Sequence, residues 1–403
     1  MKNVLISGAS VAGPALAYWL RRYGFGVTVV ERSAAPRGGG QAIDLRGTAR
    51  QVAERMGIMP EVRRAHTGAH GMAIVDGTGK RLASMGADLL GDSGGVIADL
   101  EILRGDLVRI LHEATGTGVE YVFDDSIVEL AQDGDGVKAT FERAAPRTFD
   151  LVVGADGLHS TVRRLAFGPK TRFVRDLGAY VSIFSTTTRE DLDGWELMYR
   201  IPGRHGVRGK TAALYPTGRT GDAKGMFIFA APPLQHDRRD PEQQKRLVAN
   251  AFAGAGWEVP RLLESMWAAP DFYFDRVSQI HLDRWSTGRV VLLGDAGYCG
   301  SAMAGNGTSM ALVGAYVLAG ELSVTDDHVV AFANYEEQMR GYVDRCQKFA
   351  KGGAGFLLPK SRAQAWFYCQ SIRMLPYMPW RGVIAAGLQK TANAVTLREY
   401  PTS

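Results

Sequence analysis

The chain has 403 residues, of which 46% are hydrophobic and 22% charged, and this length and composition predict two or three domains with a substantial core. The 47 basic and 42 acidic side chains give a formal net charge of only +5, which does not indicate a nucleic-acid partner. Cys299, Cys346 and Cys369 form neither a Cys-x-x-Cys pair nor an even disulfide framework, and this favours a reducing, cytoplasmic location. His66 and His70 lack an acidic third ligand, so a surface pair is favoured over a zinc site and no metal is expected.

The N-terminal residues predict a βαβ unit with a glycine-rich turn. The apolar run 4–6 leads into Gly8-Ala9-Ser10-Val11-Ala12-Gly13, and a helix is predicted from Pro14 to Tyr23. Gly8 would make the tight turn, and Gly13 would let the helix lie close to the strand. Amides at the helix start form a site for a pyrophosphate, where the Ser10 hydroxyl replaces the usual second glycine. A βαβ turn that binds no nucleotide is the alternative.

Charged side chains follow this turn at informative positions. Glu31 lies 18 residues after Gly13, close to the offset of about 20 at which an acid hydrogen-bonds a ribose hydroxyl. The polar segment 41–47 lies where a loop would fold back over a bound nucleotide. Apolar spacing predicts a helix from Glu101 to Glu113, from which Arg104 would reach the phosphates of a cofactor. A solvated helix arginine is an equal alternative for Arg104.

Two further signatures each follow an apolar strand. Asp156-Gly157 follows the run 150–154 and precedes a helix capped by Ser160 or Thr161. Gly294-Asp295 follows the run 289–293, and Gly305-Asn306-Gly307 opens a helix whose positive end would favour a reduced, anionic flavin. A helix start that only packs closely is the alternative for this last motif. Three such turns predict one extended dinucleotide groove, and FAD is the cofactor that fits it best.

Two uncharged stretches raise the question of a membrane. Residues 3–20 follow a lysine as in a signal peptide, but the predicted strand, turn and helix account for all of them. Residues 296–320 are glycine-rich and polar in their first half, unlike a membrane-spanning helix. Membrane association is therefore not expected, and the aromatic-rich C-terminal region is predicted to be helical and to pack across the two modules.

A second, sheet-rich module is predicted between the cofactor-binding segments. Residues 72–82 indicate a hairpin, and the runs 180–185, 195–200, 211–215 and 225–230 indicate strands of one sheet. Phe227 and Phe229 would share a face of this sheet. Together with Met198 and Tyr199 they are the candidate substrate residues, although ordinary sheet core is the favoured role for the two phenylalanines.

In the order and spacing of these motifs, the sequence resembles the FAD-binding aromatic monooxygenases typified by para-hydroxybenzoate hydroxylase, and within them the tetracycline-inactivating and polyketide-tailoring hydroxylases. The resemblance implies an α/β fold with a Rossmann-like, GR2-type FAD-binding domain, an interposed mixed β-sheet substrate domain and a C-terminal helical segment. The FAD-binding domain would comprise residues 1–70, 95–174 and 277–340, the substrate domain residues 71–94 and 175–276, and the bridging helices residues 341–403.

The resemblance also implies roles for individual residues. Glu31 and Arg32 would hold the adenosine half of FAD, Asp44 and Arg46 would lie by the flavin, and Arg104 and Asp295 would contact the ribityl-pyrophosphate portion. Arg37 would engage the nicotinamide donor, and Asp156-Gly157 would serve both cofactors. With the turns, the expected cofactor-binding residues are Gly8, Ser10, Val11, Ala12, Gly13, Glu31, Arg32, Arg37, Asp44, Arg46, Arg104, Asp156, Gly294, Asp295, Gly305, Asn306 and Gly307.

Two positions depart from the family pattern. Tyr298 stands where many members have histidine, and the loop 299–303 lacks the proline usual beside the isoalloxazine. FAD binding is expected to tolerate both changes, but the glycine in the loop would loosen the flavin pocket.

The activity that the resemblance implies is a single-component monooxygenase. NADPH or NADH would reduce FAD, O2 would give a flavin C4a-hydroperoxide, and one oxygen would pass to a phenolic, polyketide-like or other aromatic small molecule, including an antibiotic. No residue pattern indicates a catalytic base. A non-catalytic binder that sequesters a drug-like aromatic is one alternative, and a flavin-dependent halogenase is another, although none of the seven tryptophans forms a Trp-x-Trp element. Either a monomer or a homodimer is expected.

Overall fold

The computed structural model describes residues 1–36, 38–87, 100–188, 192–203, 207–301, 305–379, 382, 390 and 393–401. The strands are β1 (Asn3–Ser7), β2 (Gly26–Glu31), β3 (Ala42–Asp44), β4 (Gly71–Val75), β5 (Arg81–Gly86), β6 (Glu101–Leu103), β7 (Glu120–Phe123), β8 (Ile127–Gln132), β9 (Val137–Phe141), β10 (Arg147–Phe149), β11 (Leu151–Gly154), β12 (Val174–Thr187), β13 (Trp195–Ile201), β14 (Lys210–Pro216), β15 (Asp222–Ala230), β16 (Tyr273–Ile280), β17 (Ser286–Thr287) and β18 (Val290–Leu292). The α-helices are α1 (Ala12–Arg22), α2 (Gly47–Arg55), α3 (Met59–Arg64), α4 (Arg104–Thr115), α5 (Thr161–Phe167), α6 (Pro241–Phe252), α7 (Val259–Ala268), α8 (Asp295–Tyr298), α9 (Gly307–Val324), α10 (His328–Leu357) and α11 (Arg362–Met374).

The first sheet has the order β17-β18-β11-β1-β2-β7, and β18, β11, β1, β2 and β7 run parallel. Strands β1, β11 and β18 consist largely of apolar residues that are almost completely buried, as expected for a parallel sheet covered on both faces. The three glycine signatures follow these three adjacent strands, so the turns meet at one carboxyl edge of the sheet. In open α/β sheets, this edge is where ligands bind.

The second sheet has the order β16-β12-β15-β14-β13-β4-β5 and is mixed, because β13 and β4 run parallel while the other neighbours are antiparallel. Its strands include the predicted hairpin and the four predicted strands. One face packs against α6 and α7 through a cluster that includes Phe184, Phe227 and Phe252. The other face turns towards the first sheet and the C-terminal helices. The α/β class with an interposed mixed sheet is therefore confirmed, while the domain limits given above stay a prediction.

Helix α9 fills the space beside the first sheet. Its residues from Ser309 to Leu322 are buried, and it packs against α1 and α10. Among the helices in the described part of the chain, α9 alone is long and apolar enough to cross a membrane. However, 83% of that segment is buried inside the protein. A core helix has the same composition, and this is the role that its burial supports.

Two predicted helix starts differ from the structure. Helix α1 begins at Ala12, two residues before the predicted start at Pro14. Glu101 does not begin a helix, because residues Glu101–Leu103 pair with β3 as a strand and α4 starts at Arg104. This difference places Arg104 at the N-terminus of α4 rather than within its first turn.

Candidate active site

A cavity of about 420 Å³ lies between the carboxyl edge of the first sheet and one face of the second. Most of the predicted cofactor residues line it, namely Gly8, Ser10, Val11, Ala12, Glu31, Arg32, Asp44, Arg104, Asp156, Asp295, Gly305 and Gly307. Segments that are 300 residues apart in sequence therefore contribute to one wall. Arg37 and residues 302–304 lie outside the described residues.

The first turn is held by close backbone packing. Gly8 has a φ of +108°, and a Cβ there would lie 2.5 Å from the Ala155 carbonyl oxygen. A Cβ at Gly13 would lie 1.9 Å from the Gly8 carbonyl oxygen. Because it has no side chain, Gly13 allows α1 to approach the turn. Gly13 itself is not among the residues that line the cavity. No side-chain hydrogen bond caps α1, and Val11 and Ala12 at its start line the cavity, as an anion site requires.

Glu31 is fixed at the end of β2 by two backbone amides. Its Oε2 accepts from the Ala9 amide at 2.9 Å, and its Oε1 accepts from the Ser33 amide at 3.0 Å. The carboxylate is thereby oriented at the cavity wall, at the end of β2, where an acid suits a ribose hydroxyl. Arg32 follows it on the same wall.

Arg104 joins α4 to the first turn. Its Nη2 and Nε donate to the Ser10 hydroxyl oxygen at 2.9 and 3.3 Å. The alternative of a solvated helix arginine does not describe this side chain, which is partly buried and lines the cavity. A guanidinium and a helix N-terminus at the same turn form a site suited to a pyrophosphate.

The second turn is organised around Asp156. Its carboxylate accepts from the Thr161 amide at 2.7 Å, from the Val162 amide at 3.1 Å and from the Ser160 hydroxyl. Burial raises the pKa of Asp156, and the hydrogen bond from Ser160 opposes this shift. Ser160 caps α5 by accepting from the Arg163 amide at 2.9 Å, which confirms one of the two predicted caps.

Arg163, which the sequence analysis gave no role, connects the second turn with the third. Its side chain is 1% exposed and donates to the Ala296 and Leu158 carbonyl oxygens at 2.7 Å each. Burial lowers the pKa of this guanidinium, and Asp156 opposes that shift. A buried arginine that donates to backbone carbonyl groups of both turns fixes the distance between the turns. In the sequence, only the pair Arg163-Arg164 after the helix cap hinted at this role.

The third turn carries Asp295 and Cys299. Burial raises the pKa of Asp295, and a hydrogen bond with the Cys299 thiol opposes the shift. Gly294 precedes it with a φ of +64°, and Asn306 is the residue before α9. Gly294 and Asn306 therefore shape the turn without lining the cavity. Tyr298, which replaces the histidine of many family members, is buried in the core, where its hydroxyl accepts a hydrogen bond from the Tyr335 hydroxyl at 2.9 Å.

Asp44 lines the cavity, and Arg46 supports it. The Arg46 guanidinium donates to Asp44 Oδ2 at 2.6 Å. Arg46 itself does not line the cavity. We therefore assign the cavity-facing position to Asp44 and a supporting position to Arg46.

The four candidate substrate residues do not line this cavity. Phe227 and Phe229 are buried in the cluster between the second sheet and α6 and α7, on the face turned away from the cavity. Tyr199 packs on the same side and contacts Trp257 edge-on. Met198 points to the other face but packs among core side chains near Cys369. The two phenylalanines do share a face, and their burial supports the core role that was favoured for them.

Strand β16 and its neighbour β12 supply the wall that the sequence analysis missed. Val181, Ile183 and Val277 form its apolar part, and Tyr273 and Asp275 stand beside them. Alternation along β12 put Val181 and Ile183 on one face, but the sequence did not tell which face is covered by helices. An acid within the apolar strand β16 was the available signal for Asp275.

Asp275 belongs to a hydrogen-bonded group at the cavity. Its Oδ2 accepts from His159 Nε2 at 2.7 Å and from the Tyr273 hydroxyl at 3.3 Å. Lys170 donates to His159 Nδ1 at 3.2 Å, which assigns the imidazole proton to Nε2. Burial lowers the pKa of His159, and the hydrogen bond with Asp275 opposes this shift. Arg238 lies 3.7 Å from Asp275 and completes the group.

The residues of the three turns fit FAD. They provide a helix N-terminus and a guanidinium for the pyrophosphate, an oriented carboxylate for the ribose, and a cradle at Gly8 and Gly13 that a Cβ would fill. No group of three or more metal-ligating side chains occurs in the part of the chain that the structure describes.

Comparison with known proteins agrees with this site. A family described as the FAD binding domain matches residues 1–339, and the chain belongs to this family. A flavin-dependent monooxygenase of Legionella longbeachae is 35% identical over 404 residues and covers 100% of this chain and 99% of its own length. The tetracycline destructase Tet(55) has a crystal structure with a TM-score of 0.83, 38% identity and 99% coverage of both chains. The crystal structure of the tetracycline destructase Tet(51) has a TM-score of 0.84 and 34% identity, and the match covers 99% of this chain and 100% of Tet(51).

The protein is thus an FAD-dependent monooxygenase. The resemblance to the aromatic hydroxylases and to their tetracycline-inactivating branch is confirmed, as is FAD as the cofactor. Structures of lower identity support the fold alone, such as an FAD complex of Klebsiella pneumoniae HpxO, which is 21% identical with a TM-score of 0.77.

Proposed function

We infer that this monooxygenase uses NADPH or NADH and O2 to add one oxygen atom to a phenolic, polyketide-like or other aromatic small molecule. The observation that carries the proposal is the continuity of the cavity, which extends from the three cofactor turns to the apolar wall of the second sheet. A site that brings a cofactor against such a wall suits an apolar, planar substrate. The similarity to two tetracycline destructases favours a tetracycline-like polyketide within this class.

In the proposed mechanism, bound FAD supplies the redox and oxygen chemistry. Glu31 would hold the ribose of this cofactor, Arg104 and the start of α1 would hold its pyrophosphate, and Asp295 would hold its ribityl chain. Asp44 would lie at the flavin. The N-terminus of α9 at Gly307 opens on the cavity, where its dipole favours negative charge on the reduced cofactor.

The second sheet would hold the substrate and exclude water. Val181, Ile183 and Val277 present apolar surface to the cavity, which disfavours water beside the reacting atoms. The Tyr273 hydroxyl and Asp275 are the polar groups on the same wall, and they would orient a hydroxyl-bearing ring. A planar substrate held against this wall would meet the cofactor with its reacting carbon at near-attack distance.

The nicotinamide donor would approach from outside this closed arrangement. Arg37 is proposed as a donor contact, together with Asp156 and Gly157 at the second turn. A donor that binds transiently needs no second glycine fingerprint, and a basic side chain would attract its phosphates.

The test is a screen that reads nicotinamide oxidation and product mass together. Purified protein is expected to be yellow, and a tetracycline or a simple phenol is expected to accelerate NADPH or NADH oxidation and to gain one oxygen atom. Peroxide release without a mass gain would indicate uncoupled turnover. Protein that stays colourless after reconstitution with FAD would refute the proposal, and stoichiometric protection of the drug without nicotinamide oxidation would favour a sequestering binder.

A further inference from the structure

A buried ion pair lies on the same face of the second sheet as the apolar cavity wall. Lys224 on β15 is 3% exposed, and its Nζ donates to Asp271 Oδ2 at 2.6 Å and to the Ser185 hydroxyl oxygen at 2.8 Å. Ser185 is the cross-strand partner of Lys224 on β12, and it follows Ile183 by two residues. Because Ile183 lines the cavity, alternation places the ion pair on the cavity side of the sheet.

Asp271 is held by two strands at once. Its Oδ1 accepts from the Ser185 amide at 2.8 Å, and its Oδ2 accepts from the Ser185 hydroxyl at 2.8 Å as well as from Lys224. Burial raises the pKa of Asp271, but the hydrogen bonds from Lys224 and Ser185 outweigh burial and hold the pKa below its ordinary value. The carboxylate is therefore charged near neutral pH and fixed in position, two residues before β16 begins at Tyr273.

The loop between β2 and β3 packs on this ion pair. Gly39 in that loop has a φ of +75°, and a Cβ there would lie 2.8 Å from Asp271 Oδ2 and 3.4 Å from Lys224 Nζ. The space between the loop backbone and the ion pair is thus too small for a side chain. Because β2 belongs to the first sheet, this contact joins the first sheet to the second.

On its other side, the loop packs on the start of α4. A Cβ at Gly105 would lie 2.5 Å from the Gly39 amide nitrogen and 2.6 Å from the Gly39 carbonyl oxygen. A Cβ at Gly40 would lie 3.3 Å from Arg104 Cβ. The Arg104 amide donates to the Gln41 carbonyl oxygen at 2.9 Å. The loop is therefore a thin layer between the ion pair and the helix that carries Arg104.

A movement of this layer would reach the proposed phosphate site. Arg104 Nη2 donates to the Ser10 hydroxyl oxygen at 2.9 Å, and both residues line the cavity. The close fit between Gly39 and Gly105 transmits a shift of the loop to the start of α4, because packed backbone does not compress. The second sheet therefore influences the position of Arg104 through the loop.

We propose that Lys224 and Asp271 are positioning residues, which hold the loop 39–41 against α4 and so place the Arg104 guanidinium for the pyrophosphate of FAD. The inference rests on the proposed place of the pyrophosphate beside Arg104. Lys224 and Asp271 are not among the residues that line the cavity, and neither has to touch FAD. A change on the second sheet is nevertheless expected to alter the affinity for FAD.

A double-mutant cycle tests this contact. Gly39→Ala is made in the wild type and in Lys224→Met/Asp271→Ala, a background that removes both charges and the carboxylate which the new Cβ would meet. The Kd for FAD, from flavin fluorescence, and the Tm of the apoprotein are measured in all four proteins. Gly39→Ala is expected to raise the Kd about tenfold in the wild type and at most about twofold in the neutral background. The neutral background alone is expected to raise the Kd about threefold or more, because the loop is no longer held.

Gly57→Ala is the matched control. Gly57 also has a φ of +75°, and among the residues that the structure describes no atom beyond its chain neighbours lies within 4 Å of the added Cβ. Both alanine substitutions carry the same backbone strain, which is expected to lower the Tm of the apoprotein by about 2–4 °C. Gly39→Ala is expected to lower the Tm further only where the ion pair is present. Gly57→Ala is expected to leave the affinity for FAD unchanged.

The Tm reports the contact, and the Kd reports its role in positioning. Equal effects of Gly39→Ala on the Tm in the two backgrounds would overturn the contact. A Tm effect that depends on the background, together with one Kd in all four proteins, would overturn the positioning role, since a purely structural ion pair changes stability alone. If Gly39→Ala does not fold, the Kd of Lys224→Met/Asp271→Ala decides: a raised Kd supports the role, and the wild-type value overturns it.

Arg104→Gln separates this inference from the proposed place of the pyrophosphate. If Arg104→Gln weakens FAD binding while the ion-pair variants do not, the positioning role fails and the proposed phosphate site stands. If neither Arg104→Gln nor the ion-pair variants change the Kd, the pyrophosphate lies elsewhere and both proposals fail.

Discussion

Substitution of Gly13 by alanine gives the most direct test of how the first turn holds FAD. A Cβ at this position would lie 1.9 Å from the Gly8 carbonyl oxygen, and the third nearest atom is Ile6 Cγ2 at 3.5 Å. The clash is with backbone, which no rotamer change relieves. Helix α1 and the turn must therefore separate by about 1 Å, and this displaces the amides that face the pyrophosphate.

The size of the effect follows from two opposing terms. Overpacking of this kind costs about 1–3 kcal/mol, whereas alanine in place of glycine favours a helix by about 1 kcal/mol. Because the cost falls on the geometry that binds the phosphates, we expect the Kd for FAD to rise about 10–100-fold. The apoprotein is expected to unfold within a few degrees of the wild type, since the turn is free to relax when no cofactor is bound. Flavin fluorescence titration and thermal unfolding measure the two quantities.

Gly341→Ala is the matched control. Gly341 also lies in a helix, α10, and the nearest atom to its added Cβ is 3.9 Å away. Only the helix-favouring term applies there, so FAD affinity is expected to be unchanged and stability to rise by about 0.5–1 kcal/mol. Wild-type affinity for FAD in Gly13→Ala would refute the reasoning, because it would mean that close packing of α1 on the turn does not set the phosphate site.

Three further substitutions test other parts of the site. Arg104→Gln removes a cation next to Ser10 and is expected to weaken FAD binding by about 1.5–3 kcal/mol, measured by the same titration. The loss is expected to be smaller at high salt than at low salt, and a loss that does not change with salt would contradict a charge-based role. Phe227→Ala removes a core ring whose centroid lies 4.4 Å from that of Phe252. It is expected to lower the free energy of unfolding by about 3–5 kcal/mol, or the Tm by roughly 4–6 °C, and to leave the substrate KM unchanged. Ile183→Ala enlarges the cavity wall and is expected to raise KM about tenfold with little change in FAD affinity. A raised KM in Phe227→Ala would restore Phe227 as a substrate contact.

The cofactor turns were predictable because each depends on local chemistry. A glycine after an apolar strand, with a second glycine five residues later, leaves few backbone arrangements, and the structure has Gly8 at a φ that disfavours side chains. The position of Glu31 at the end of β2 follows from the length of one βαβ unit. What the sequence did not provide was Arg163, because its value lies in two carbonyl groups that belong to different turns.

The substrate wall was not predictable for a different reason. Alternation placed Phe227 and Phe229 on one face of β15, which the structure confirms. In the structure Val181 and Ile183 share the face of β12 that lines the cavity. Which face meets the cavity depends on where α6 and α7 pack, and these helices come later in the chain. The predicted substrate residues Phe227 and Phe229 lie on the face that the helices cover. The apolar part of the cavity wall is formed by the smaller side chains of Val181, Ile183 and Val277.

The start of the predicted helix at Glu101 shows the same limit on a smaller scale. Apolar spacing continued through Ile102 and Leu103, but these residues pair with β3, and pairing partners 60 residues away leave no trace in a local pattern. The consequence reaches the site, because a strand at this point places Glu101 opposite Asp44, which lines the cavity. The segment that was predicted only to carry Arg104 towards the phosphates therefore also pairs with the strand that carries Asp44.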